Sequence, residues 1–399
     1  MTTTHPAGPL PAAPAGALPR PPGRADDPEL VFFAPRGAAE RLRSLAAAVV
    51  HAPTIWRLAA AGARFHGGSR LGAARRLHAL RRRGYLYEEA LQEGMLDPAL
   101  RGRALDGHAS RHVALMAQRS VNPGNLEDLT TEKAIFYRYC AALGLPTPRA
   151  LAIVHRTTAG WGAGNRVLAT AGDLADVLAE NPVDVVVKPS DGGKGVHVRV
   201  LRRRGRLLVD HTGARDAADL WHELRANPDH DCFVVQERLR NAAELAALVP
   251  SEALHTVRLV TFVAADGQVE VTQAVMRLGI GGGDTDNFGD GSGGNGYCHI
   301  DPGTGSLGPL LTSGPEGVGF VESPGVPGSG TRLEGRAVPG WRDALALAVR
   351  AAPHFLPNRS IGWDIAITDR GPVIVEANRE WTPFPQPDLL PALRRIAER

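Results

Sequence analysis

The stretch VVVKPSDGGKGVHVRV, starting at Val185, puts a lysine at the end of an apolar run with a glycine-rich segment directly behind it. A buried ammonium is costly without an anion to compensate it, so Lys188 requires a partner. Gly192, Gly193 and Gly195 carry no side chains that would hold a backbone away from a ligand. A loop of that composition folds down over a chain of phosphates and offers them its amides. Lys188, fixed on the strand, would neutralise phosphate oxygens, each charge-assisted hydrogen bond being worth roughly 1.5–3 kcal/mol. Taken alone, the loop is equally compatible with a surface hairpin whose lysine snorkels to water. Two commoner phosphate motifs do not fit. Lys194 in GGKG is followed by no Ser or Thr and by a strand pattern instead of a helix, which excludes the Walker loop. The glycines of GIGGGD break the Rossmann spacing.

A second group of residues lies near the other end, in GWDIAITDRGPVIVEANRE. Asp364 and Ile365 open one strand, Arg370-Gly371 makes the turn, and VIVEAN returns. Alternation puts Glu376 and Asn378 on one face of the return strand, and antiparallel pairing brings Asp364 beside them. Two carboxylates and an amide oxygen are hard ligands suited to Mg²⁺ that shares nucleotide phosphates. Scattered surface acids are the alternative, and the strongly apolar flanks argue against it.

The pattern along the chain supplies the elements that must hold these groups. Residues 1–28 are Pro/Ala-rich and are expected to be a disordered tail. Residues 29–124 read as an Arg-rich helical region, in AAERLRSLAAAVVHA and GAARRLHALRRRGYLYEEALQEGML, with Gly84 and Gly94 as helix ends. Its arginine face is a solvated surface, a dock for an acidic substrate or partner, or a membrane-surface helix. A helix capped by Asp128 or Thr130 runs through Lys133 to Leu143 and ends at Gly144. ALAIV, VDVVVKP, GVHVRV and CFVVQERL are strands, with DLWHELRA a helix between the last two. HTVRLVTFVAADGQVEVTQAVMRLG is a hairpin around Asp266-Gly267. Loops and short strands occupy Gly279 to Pro339. The helix PGWRDALALAVRAA, the acidic hairpin and a short final helix close the chain. Residues 125–245 and 246–399 are expected to form a smaller and a larger α+β subdomain.

Composition narrows the function classes. A net charge of +3 over 399 residues is too small to imply a nucleic-acid partner. Cys140, Cys232 and Cys298 are isolated, which excludes a CxxC zinc site or a disulfide framework and fits reduced thiols in a cytoplasm. No run reaches the length of a membrane span, and the first residues lack the Lys/Arg-led apolar core of a secretory signal.

The ordered set TEKAIF, VVVKPSDGGKG, VVQERL and D…ExN resembles the ATP-grasp superfamily, an α+β fold in which two subdomains grip ATP between antiparallel sheets. HTVRLVTF, MRLGIGGGDTDNF and GWDIAIT…GPVIVEAN are similar to its sugar-transfer-associated, alpha-L-glutamate-ligase-related branch, over roughly Asn125 to Asp388. That resemblance implies that Lys133 and Lys188 contact phosphates and that Gln236 to Leu239 form the adenine hinge, with Glu237 or the backbone serving the exocyclic amine. Glu244 or His255 would meet the ribose. Asp364, Glu376 and Asn378 would hold Mg²⁺, two ions being expected. Arg258 and Arg277 would stabilise phosphate or acyl phosphate, or else make structural salt bridges. The segment from Gly281 to Gly296, with Asp286 and Asn287, is a loop near substrate or a surface insertion, and Trp363 and Trp381 are core packing. The implied activity is ATP-dependent joining of a carboxylate to an amine or thiol through an acyl phosphate, in sugar, peptide or natural-product modification. A kinase-like phosphotransferase and a non-catalytic nucleotide-binding module are the alternatives.

Overall fold

The computed structural model describes residues 51–193, 195–288 and 293–398. The expected tail, the helix predicted before His51, and Lys194 therefore lie outside the described residues. The helical layer begins with α1 (Ala52–His66), α2 (Arg70–Arg81) and α3 (Tyr87–Gln92). Ser69 caps α2 by accepting the Gly72 N–H at 3.0 Å, the ordinary answer to orphan amides at a helix start. Gly84 and Gly94 follow α2 and α3 with φ of +90° and +70°. After a single turn at Arg103–Asp106, the longer helix α4 (Arg111–Val121) is capped by Ser110.

Helix α5 (Lys133–Ala142) leads into a sheet built of β1 (Ala150–His155), β2 (Gly160–Gly162), β3 (Val167–Leu168), β4 (Val185–Pro189), β5 (Arg199–Arg204), β6 (Leu207–Asp210), β7 (Gly213–Arg215) and β8 (Cys232–Glu237). Its strand order is β3-β2-β1-β8-β4-β5-β6-β7. Helices α6 (Ala171–Glu180) and α7 (Ala217–Ala226) begin with capping boxes at Thr170 and Asp216 and bury Leu174, Val177, Leu220 and Trp221 against it. The second sheet holds β9 (Thr256–Val263), β10 (Val269–Leu278), β11 (Gly296–His299), β12 (Leu310–Ser313), β13 (Phe320–Ser323), β14 (Ser360–Thr368) and β15 (Gly371–Asn378), in the order β13-β12-β11-β10-β9-β14-β15. Helix α8 (Trp341–Ala351) covers one face of this sheet, and α9 (Leu389–Glu398) packs with α4 over Val260 and Phe262. Trp363 and Trp381 are both buried. No helix among the described residues is long and apolar enough to cross a membrane.

Three local expectations shift. The helix predicted from Asp128 to Leu143 is broken at Glu132, which is extended (φ −83°, ψ 99°); a single turn, Asp128–Thr131, precedes it. The Lys133 N–H donates to the Ser190 carbonyl at 2.9 Å instead of to a preceding turn, so Lys133 opens α5 beside the glycine loop. Of GVHVRV only Arg199 and Val200 join β5, because Gly195 (φ +72°) and His197 (φ +58°) turn the chain first. Asp364 sits in the middle of β14, and the turn falls at Asp369-Arg370 with Gly371 already pairing with Thr368.

Candidate functional site

The two sheets face each other across one cavity of about 920 Å³, at the upper end of the range for small-molecule sites. From the first sheet come Lys188, Gly192, Gly193, Gly195, Gln236 and Leu239; α5 contributes Lys133. Arg258, Arg277, Asp364, Glu376 and Asn378 line it from the second sheet. Twelve of the fifteen residues singled out from the sequence thus meet in one place, and Glu237, Glu244 and His255 are the three that do not.

Lys188 stands on β4 opposite Val234 of β8, with its ammonium 5.4 Å from the centre of the Tyr137 ring. It is 6% exposed, and among the described residues no carboxylate or carbonyl bonds it. Burial lowers its pKa from 10.5 to about 8; Glu376 and Asp364 work against that shift, while Lys133 adds to it. Such an ammonium is set up to receive an anion from outside the protein. Lys133 is differently placed. Its Nζ lies 3.3 Å from Glu376 Oε1 and donates to the Gly192 carbonyl, so one side chain spans both walls and the loop. Ser190 steadies this corner, accepting from the Ala134 N–H at 3.1 Å and donating to Glu132 at 2.6 Å.

The acidic hairpin pairs as its alternation predicts, Asp364 opposite Glu376 and Gly362 opposite Asn378. Asp364 is not the open ligand expected of it. Arg258, its cross-strand neighbour on β9, donates from Nε at 2.5 Å and from Nη2 at 2.8 Å, and Arg277 approaches Oδ2 at 2.9 Å. Burial alone would raise the Asp364 pKa, but the two guanidiniums outweigh it and hold the carboxyl down at about 2. Arg277 also bonds Asp286 at 2.8 Å. Asp286 receives the Thr256 hydroxyl as well, which ties the glycine-rich segment after β10 to the cavity floor. The donors fit a hard divalent cation at Glu376 and Asn378, whose side chains front the cavity. Asp364 joins them only where a guanidinium yields.

The hinge assignments divide. Val186, Val198, Val200, Leu239 and Leu254 make an apolar slot between the sheets, and the Gln236 amide oxygen lies 2.9 Å from the Tyr137 hydroxyl. Glu237 points the other way, because alternation along β8 turns it to the opposite face. There it binds Arg149 Nε at 3.0 Å, Arg370 Nη2 at 2.9 Å and the Arg149 N–H at 3.1 Å. Burial raises its pKa, and these bonds more than reverse the effect. The structure corrects the expectation that its carboxylate meets adenine. Substituting Glu237→Gln should cost about 1–3 kcal/mol in urea denaturation, as a charged hydrogen-bond acceptor is lost, and leave nucleotide affinity within about threefold. A large loss of nucleotide affinity would return the residue to the site.

Neither ribose candidate lines the cavity. Glu244 is exposed on the short helix Ala243–Leu248. His255 is fully buried, accepting the Gly279 N–H on Nδ1 at 3.1 Å with Nε2 3.1 Å from the Val249 carbonyl. Burial lowers its pKa and keeps it neutral, so it staples the entry of β9 to the exit of β10. The cavity wall beside it is formed by Arg238 and Glu252, 2.9 Å apart. Arg238 falls within the expected hinge segment, whereas nothing in the local sequence marked Glu252.

Two antiparallel sheets closing on a lysine-rich wall and an acid–amide wall define an ATP-grasp protein. The chain belongs to the sugar-transfer associated ATP-grasp family, whose model matches residues 115–389, more than half of its length. No curated protein matches it. Among solved structures, it is similar to the D-alanine-D-alanine ligase of Coxiella burnetii at 10% identity and a TM-score of 0.40, over 73% of this chain and 66% of that one. A biotin carboxylase from Campylobacter jejuni shares 11% identity at a TM-score of 0.38, over 73% and 48% respectively. A RimK domain ATP-grasp protein of Sphaerobacter thermophilus shares 14% at 0.32, over 68% and 67%. The chain therefore spans just under two thirds of the first of these and under half of the second.

Proposed function

We propose that the protein is an ATP- and Mg²⁺-dependent ligase that activates a carboxylate as its acyl phosphate and passes the acyl group to an amine or thiol. The observation that carries this reading is Lys188, a buried ammonium that no carboxylate among the described residues bonds, in the same cavity as the Glu376–Asn378 edge. The apolar slot accepts the base of ATP as substrate, and the backbone from Gln236 to Leu239 offers its edge hydrogen bonds. Lys133 and Lys188 draw the terminal phosphates toward the acidic hairpin, and the glycine loop covers them and excludes water. Mg²⁺, held at Glu376 and Asn378, would neutralise charge between phosphate oxygens. Arg258 and Arg277, aligned by Asp364, stabilise the charge that builds as a substrate carboxylate oxygen bonds to the γ-phosphorus and ADP departs. An incoming amine then bonds to the acyl carbon, loses its proton and expels phosphate.

The test is ADP release over mixed carboxylates, with and without hydroxylamine. The expected result is carboxylate-dependent ADP release accompanied by a hydroxamate. Substrate-dependent ADP without hydroxamate would replace the ligase by a phosphotransferase.

A further inference from the structure

The cavity is also lined by residues that the proposed nucleotide site does not use. Past Arg277 its cross-strand neighbour Tyr297 lies buried beneath Phe384, Phe320 and Phe288, with ring centroids 4.7, 5.4 and 5.2 Å away. Those three phenylalanines face the cavity, and the helical layer adds Glu93 and Arg111 to the same lining. The layer is fastened there by backbone: the Gly319 N–H donates to the Leu91 carbonyl at 3.0 Å, and a Cβ on Gly94 would lie 3.5 Å from Gly319 Cα.

Most charged groups of this layer are consumed internally. Arg76 bonds the carbonyls of Met95 and Leu100, and Arg83 pairs with Asp106 at 3.2 Å. Glu89 accepts the Leu86 and Arg111 amides at 3.0 and 2.6 Å. The pair at the cavity is different. Arg111 touches Glu93 through Nε alone, 3.3 Å from Oε1, and its side chain is 41% exposed. Among the described residues, neither its Nη fork nor Glu93 Oε2 has a partner. The Glu93 side chain is only 4% exposed, an expensive place for a carboxylate served by one long bond. Burial, helped by Glu89, pushes its pKa up to about 8 in spite of Arg111, as expected of a carboxyl short of cations.

We propose that this end of the cavity binds the acceptor as an amino-acid zwitterion with an apolar side chain. The Arg111 fork receives its carboxylate, Glu93 its amine, and Phe288, Phe320 and Phe384 the side chain. A free guanidinium fork is matched to a planar carboxylate, and an ammonium supplies the cation that Glu93 lacks. The helical layer, which stands largely outside the nucleotide grip, thereby acquires a role as the acceptor wall. This inference rests on the ligase reading for the direction of transfer, though not for binding itself.

The experiment is thermal shift on the full chain saturated with Mg²⁺ and a non-hydrolysable ATP analogue, using free apolar α-amino acids as probes. Their N-acetyl and carboxamide derivatives are run alongside. At least one amino acid should raise Tm, with both derivatives binding at least tenfold more weakly. In Arg111→Gln the preference for acid over amide should vanish, with partial recovery in Arg111→Lys. In Glu93→Gln the preference for free over acetylated amine should vanish. The shift from the nucleotide analogue itself should persist in all variants; its absence in the wild type would sink the nucleotide reading instead. No response to any amino acid with the nucleotide shift intact, or preferences unchanged in both variants, overturns the acceptor assignment.

Discussion

Replacing Lys188 with methionine should abolish most of the ATP-induced rise in Tm and, without nucleotide, make the protein more stable at pH 7. The two effects have one cause. Loss of a charge-assisted hydrogen bond to phosphate, about 1.5–3 kcal/mol, weakens binding roughly 10- to 150-fold. At a concentration one hundred times the wild-type Kd, stabilisation of about 2.7 kcal/mol would fall to about 0.4 kcal/mol for a hundredfold loss. The stability gain follows from the depressed pKa. Lys188 binds its proton less well folded, at about 8, than unfolded, at 10.5. Its contribution is therefore complete above the unfolded value and is lost as pH falls through the folded one. At neutral pH the native state carries a penalty of up to about 3 kcal/mol at ~1.4 kcal/mol per pKa unit. Methionine fills similar space without the charge and forgoes only the contact with Tyr137. Urea midpoints from pH 7 to 10.5 should rise for the wild type and stay flatter for Lys188→Met. A destabilised methionine variant that still shows the full nucleotide shift would remove Lys188 from the site.

The second large effect belongs to Asp364. Substitution by asparagine leaves Arg258 without its bidentate partner and Arg277 with Asp286 alone, two buried guanidiniums facing each other. Breaking a buried ion pair from one side typically costs about 3–5 kcal/mol, and a loss of that size in the urea midpoint is expected. The pH signature has the same sign as that of Lys188, stability falling as pH falls, but lies in the acidic range. With a folded pKa held at about 2 against 3.8 unfolded, Asp364 contributes about 2 kcal/mol above pH 3.8 that disappears as pH falls through 2. Acid unfolding of the wild type should show this dependence, and Asp364→Asn should lack it. A cost under about 1 kcal/mol would mean that the arginines do not depend on this carboxylate, and would free Asp364 to act as a full metal ligand.

The sequence carried the hairpins well because each of them announces itself locally. The hairpins at Asp266-Gly267 and around Gly371 alternate cleanly and turn on glycine, and their registers then place Arg258, Asp364 and Glu376 in one row. Motif order located the cavity walls, since Lys188 and Glu376 are fixed by strand periodicity. What stayed hidden depends on partners far away in the chain. Alternation turns Glu237 from the slot, but what holds it there is the arrival of Arg149 and Arg370, 88 and 133 residues distant. His255 looks like any polar residue preceding a strand until Val249 and Gly279 close around it. Glu93 and Arg111 were submerged in an arginine-rich region where helical periodicity shows a face but not what the face meets. The break at Glu132 likewise follows from a tertiary bond to Ser190, which no helix propensity encodes.

The shared apolar seam between α4 and α9 has a practical corollary for dissecting the molecule. The family match starts at residue 115, inside α4, just past its first turn. A truncation placed at that border would cut the helix in two and strip Val113 and Ala114 from Leu390, Leu393 and Phe262. Family homology and autonomous folding thus have different borders here, and a soluble minimal fragment must begin upstream of Ser110.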